Sequence, residues 1–66
     1  MKTIRFAKNL KWLRESKQLT QAELGKLVNV NQRTISAWEK GICEPSYETL
    51  ALLCDIFDET FENILT

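Results

Sequence analysis

The stretch Leu19-Thr20-Gln21-Ala22-Glu23-Leu24-Gly25-Lys26-Leu27-Val28-Asn29-Val30-Asn31-Gln32-Arg33-Thr34-Ile35-Ser36-Ala37-Trp38-Glu39-Lys40-Gly41 decides the fold of this chain. It opens on a helix start. Thr20 and Glu23 are spaced as a capping box, in which hydroxyl and carboxylate each satisfy a free backbone N–H. Leu19 before the cap and Leu24 after it are placed as a hydrophobic staple. Leu24, Leu27 and Val28 continue the apolar face. Gly25 costs this short helix about 1 kcal/mol against Ala, and the expected compensation is close approach of another helix. Asn29-Val30-Asn31 then breaks the helix. Asn29 suits a left-handed helix end, Val30 is expected to point inward, and Asn31 can cap a second helix. That second helix, Gln32 to Lys40, stops at Gly41.

On a wheel at about 100° per residue, Gln32, Ser36, Lys40, Arg33 and Ala37 share an arc of roughly 140°. Ile35 and Trp38 fall opposite, which makes Trp38 a core residue. The arc holds side chains suited to base edges. Gln can bind adenine and Arg guanine in bidentate fashion, Ser can pair with either donors or acceptors, and the Ala methyl can touch thymine. It carries no acid, so nothing on it repels phosphate. An ordinary exposed helix face would have much the same composition, so the arc alone does not decide. Its setting adds weight: two capped helices joined by a three-residue turn form a helix-turn-helix, which lays its second helix in the DNA major groove. The first turn of the helix after Thr20 would then lie near a phosphate, where free N–H groups and the helix dipole suit an anion.

Working outward, two Gly and one Pro in 66 residues, with no apolar–polar alternation, point to an all-α chain. A first helix is expected from Thr3 to Lys17, with Phe6, Leu10 and Leu13 as its core stripe. Trp12 lies roughly 120° from that stripe, either as a boundary residue against a neighbouring helix or as a contact for a partner protein. After the loop Ile42-Cys43-Glu44-Pro45, Ser46 caps a fourth helix with Leu50, Leu53, Cys54 and Phe57 on one face. Asp58-Glu59 breaks it, and Thr60 caps a short fifth helix carrying Phe61, Ile64 and Leu65. The length allows one domain, 1–66.

The zero net charge conceals an asymmetry. Residues 1–40 hold all nine bases and three acids; residues 41–66 hold six acids and no base. Either one half faces a polyanion or the two halves attract each other. The bases of the first helix (Lys2, Arg5, Lys8, Lys11, Arg14, Lys17) wind around it rather than forming one face. With no His and two Cys, at 43 and 54, neither a metal site nor a cofactor is expected, and the usual general base is missing. No enzyme is expected. No apolar run approaches the ~18 residues of a membrane span. No signal peptide is expected, and a cytoplasmic location is expected.

Three motifs in register resemble the Cro/phage-repressor (XRE-like) helix-turn-helix family. Leu19 to Val28 resembles L-T-Q-x-E-L-A-x-x-L. Thr34-Ile35-Ser36-Ala37-Trp38-Glu39-Lys40-Gly41 resembles T-I-S-x-W-E-x-G. Pro45-Ser46-Tyr47-Glu48-Thr49-Leu50 resembles P-S-x-x-T-L. The likeness spans about residues 9–65. It implies a five-helix, lambda-repressor-like domain whose third helix binds in the major groove. It implies base contacts from Gln32, Arg33, Ala37 and Ser36, and phosphate contacts from Gln21, Asn31, Thr34 and Lys40. It further implies a pair between Arg14 and Glu39 and a dimer contact from the fifth-helix region, for which Phe61, Ile64 and Leu65 are the candidates, with core packing claiming some of them. Three positions depart from the pattern. Asn29 replaces the usual turn Gly, and Ile42-Cys43-Glu44 replaces a loop that often carries bases. Asp58-Glu59 replaces Gly plus an apolar residue, which is expected to weaken the packing of the fifth helix.

The expectation is therefore a complete small transcription regulator, a repressor, bound as a homodimer to an inverted repeat in double-stranded DNA. No sequence is left for an effector domain. The alternative is an antitoxin-like protein-interaction module of the same fold, with the acidic C-terminal half as docking face.

Overall fold

The computed structural model of the chain describes residues 4–66, the side chain of Ile4 excepted. Five helices succeed one another: α1 Ile4–Ser16, α2 Gln21–Val28, α3 Gln32–Glu39, α4 Tyr47–Phe57 and α5 Phe61–Leu65. No strand occurs among the described residues. Thr3, the expected start of α1, lies outside them, as does Lys2.

The caps arise from local chemistry. At α2, Glu23 N–H donates to Thr20 Oγ1 at 3.0 Å and Thr20 N–H donates to Glu23 Oε1 at 2.8 Å, completing the capping box. Asn31, Ser46 and Thr60 each accept from the backbone N–H three residues on, opening α3, α4 and α5. Asn29 takes the left-handed conformation, φ 62°, and closes α2; Gly41, φ 75°, comes just after the end of α3. Two further left-handed positions, Gln18 (φ 59°) and Asp58 (φ 54°), close α1 and α4.

The core gathers one stripe from each helix: Phe6, Leu10 and Leu13; Leu24 and Val28; Ile35 and Trp38; Leu53, Cys54 and Phe57; and Ile64. Each large apolar side chain buried there contributes roughly 1.5–3 kcal/mol relative to exposure. Val30 and Leu19 pack against the edge of this cluster, Val30 inward from the turn. α1 lies against both α3 and α5, and α2 lies between α3 and α4. The helix-turn-helix therefore meets α1 through α3 and α4 through α2.

Two expectations about packing are corrected. Gly25 makes room for the turn, not for another helix. A Cβ there would stand 2.5 Å from the Val30 carbonyl oxygen, and Val30 N–H donates to Gly25 O at 2.9 Å. The chain folds straight back over the helix it has just left. The fifth helix, for its part, is firmly placed despite Asp58-Glu59. Asp58 adopts the left-handed turn itself, Glu59 N–H reaches back to Cys54 O at 2.9 Å, and Ile64 is fully buried. Asn9 Nδ2 on α1 donates to Ile64 O at 3.1 Å, holding the end of α5.

Candidate nucleic-acid interface

The start of α2 and the start of α3 open onto one groove, lined by Gln21, Asn31, Gln32, Arg33 and Ser36. Gln32 and Arg33, at the first turn of α3, are exposed; Ser36 and Ala37, a turn later, are half-buried; Lys40 is exposed just past the helix end. Ile35 and Trp38 turn the opposite face into the core. α3 thus presents polar tips near its N-terminus and shorter side chains in its middle. That taper lets a neighbouring surface approach the helix closely.

No acidic side chain lines the groove. Glu39, at the end of α3, is bound inside the protein. Arg14 Nε donates to Glu39 Oε2 at 2.6 Å and Arg14 Nη2 donates to Oε1 at 3.1 Å, a two-pronged pair. Arg14 Nη1 also donates to Leu19 O at 2.7 Å. Both side chains are buried, at 10% and 4% exposure. The hydrogen bond from Arg14 to Glu39 holds the guanidinium above its usual pKa, against the opposing effect of burial. Glu39 is thereby neutralised where an unpaired carboxylate would repel phosphate. The same pair ties α1, the α1–α2 link and α3 together.

The positions expected to meet phosphate differ in their readiness. Lys40 is exposed. Gln21 Nε2 donates to Glu39 Oε1 at 3.1 Å, a bond with no signal in the sequence. Asn31 Oδ1 caps α3 by accepting from Thr34 N–H at 2.9 Å and from Thr34 Oγ1 at 3.1 Å. Both donors of Thr34 are therefore committed to the cap. A phosphate oxygen can only accept, so Thr34 serves the cap in this structure and offers phosphate no donor. Asn31 keeps its Nδ2 amide as a donor.

The expected dimer contacts also divide. Ile64 is fully buried and belongs to the core, so it is withdrawn from any interface. Phe61 and Leu65 pack only partly into the core and keep some exposure. Phe61 stacks at a tilt on Tyr47, ring centroids 5.0 Å apart, and Tyr47 is 73% exposed. Sequence reasoning misses Tyr47, which directly follows a cap, a position with no periodicity to mark it as a partner of α5. Trp12, 68% exposed, lies with Asn9, Leu13, Glu59 and Asn63 around a shallow depression between α1 and the end of the chain. Cys43 is exposed and Cys54 buried. Among the described residues no helix is long and apolar enough to cross a membrane.

A family model described as helix-turn-helix matches residues 10–64. The chain is 31% identical over 60 residues to antitoxin PezA of Streptococcus pneumoniae serotype 4, covering 91% of this chain and 38% of that protein. It is 33% identical over 60 residues to the uncharacterized HTH-type transcriptional regulator YqaE of Bacillus subtilis, covering 91% of this chain and 52% of that protein. It is 34% identical over 61 residues to the HTH-type transcriptional activator BcrR of Enterococcus faecalis, covering 92% of this chain and 30% of that protein. The chain thus spans about a third to a half of the length of these relatives. No solved structure gives a significant match.

Proposed function

The chain belongs to the helix-turn-helix family, and on that premise we propose that it is a transcriptional regulator that binds double-stranded DNA by sequence. The observation that carries this reading is the groove itself. Gln21, Asn31, Gln32, Arg33 and Ser36 converge on it with no acid among them, at the joined starts of two helices. In the proposed complex α3 lies in the major groove. Gln32 and Arg33 read base edges by bidentate hydrogen bonds, Ser36 adds a shorter polar contact, and the Ala37 methyl meets thymine. Gln21, Asn31 and Lys40 hold the backbone and set register without carrying sequence information. Repression needs only occupancy of an operator, which this groove can supply. A module this small makes few base contacts, so a homodimer on an inverted repeat would supply the rest of the specificity. Tyr47, Phe61 and Leu65 form its contact surface, Ile64 being in the core.

The test is a shift assay on generic duplex over a range of salt. Each phosphate neutralised by Lys or Arg releases counterions, so affinity should fall steeply as salt rises. Binding that ignores salt, or no binding at all, would reject the reading.

A second reading is a protein-interaction module. Two observations favour it: Trp12 stands exposed beside Glu59 on a surface that the DNA groove does not use, and one relative is named an antitoxin. The base-free residues 41–66 would face the partner. Loss of partner binding in Trp12→Ala, with duplex binding retained, would support this reading as an addition to the first.

A further inference from the structure

The link between Gln21 and Glu39 joins the first residue of α2 to the last residue of α3. We infer that Glu39 is a positioning residue for the groove and acts through Gln21, holding its carboxamide in one orientation. The inference rests on the reading of the groove as a DNA site.

The chemistry of the contact leaves one arrangement. A glutamine amide has a donor side and an acceptor side, and in isolation the two ends are interchangeable by a half-turn. An ionised carboxylate only accepts. Arg14 donates to both oxygens of Glu39, at 2.6 Å and 3.1 Å, so both act as acceptors. The amide edge that faces Glu39 must therefore be Nε2. One N–H of Gln21 is spent there, and its other N–H and its Oε1 remain for the groove shared with Asn31, Gln32, Arg33 and Ser36.

Position is set by the same bond. Glu39 is rigid because its side chain is 4% exposed and held by Arg14. Gln21 is half-buried at the groove edge. A free glutamine would lose rotamer freedom on binding DNA, whereas this one is already fixed before DNA arrives. Because Glu39 sits on α3, the backbone-side contact from Gln21 and the base-reading helix keep a set spacing.

A double-mutant cycle tests this. Wild type, Gln21→Ala, Glu39→Gln and the double variant are titrated with a duplex carrying the site that wild type selects. Glu39→Gln preserves shape but lets either amide reverse. Each single change should weaken binding by about tenfold, and the double variant should bind no worse than Glu39→Gln alone. Additive losses, near a hundredfold in the double variant, would overturn the inference. Glu39→Gln also strips Arg14 of its anion and can unfold the chain, so a second measurement uses wild type alone. Side-chain amide signals of Gln21 are followed by NMR, free and with the same duplex. One Nε2 proton should remain hydrogen-bonded in both states; an amide that turns freely, or that leaves Glu39 when DNA binds, would overturn it. A wild type that binds no duplex removes the reading of the groove and this inference with it.

Discussion

Arg14 shows how one side chain can serve both fold and site. It is a base in a run of bases, yet it is buried and shared between a carboxylate and a carbonyl, while Lys8, Lys11 and Lys17 nearby remain in solvent. Its pKa is raised in the folded chain, chiefly by the hydrogen bond to Glu39. A raised pKa means the stabilisation is complete below the unfolded value and is lost only as pH rises through the folded one. For an arginine that window lies far above neutrality, so the pair should hold across physiological pH. The two cysteines give a contrast that can be measured. Burial, helped by Asp55 and Glu59, pushes the Cys54 thiol above its ordinary pKa, and the thiolate is the reactive form. A thiol reagent at pH 8 should label Cys43 at once and Cys54 only as the chain unfolds. By the same linkage, the contribution of Cys54 to stability is complete below its unfolded pKa and declines as pH rises above it. Prompt labelling of both thiols would contradict this placement.

Elements are set by their ends. The capping box on α2 satisfies two backbone donors that would otherwise lie free. Glu23→Ala should lower stability by roughly 1 kcal/mol, seen as a lower melting temperature; an unchanged melt would mean the box contributes nothing. The end of α1 runs the other way. Gln18 sits at φ 59° with Leu19 N–H reaching back to Arg14 O at 3.1 Å, a turn that glycine adopts freely and glutamine does not. Gln18→Gly should therefore raise stability by about 1 kcal/mol, less the added freedom of the unfolded chain. A destabilised variant would mean that the Gln18 side chain supports the turn in a way its backbone angle does not show. Asn29 and Asp58 occupy the same region at lower cost, since their short polar side chains tolerate it.

At the scale of the molecule, the caps are legible in the sequence because each depends on residues within one turn. Thr20 with Glu23, Asn29, Asn31, Ser46 and Thr60 stand where their chemistry places them. The core stripes are legible because helical periodicity fixes which side faces in. Anything that depends on a second element is harder to read. Gly25 answers to a carbonyl five residues on, which only the path of the turn brings close. Ile64 sits on a short helix whose sequence leaves it open to core or interface, and the packing of α5 against α1 and α4 buries it. The bond from Gln21 to Glu39 spans 18 residues and has no spacing rule. Asn9 carries a faint signal, since asparagine is a poor helix former and its place inside α1 needs a tertiary reason. The charge asymmetry is similar. The sum of zero says nothing, and in the proposed complex the basic half acts mainly through Arg33 and Lys40, since Arg14 is spent on Glu39.

Everything proposed for the groove depends on α3 reading bases, and binding-site selection on random duplex DNA tests that most directly. Wild type should enrich a motif containing a guanine that Arg33→Ala no longer prefers, at a loss of about 1–3 kcal/mol for that site. An identical motif from both proteins, or no enrichment by wild type, would contradict it.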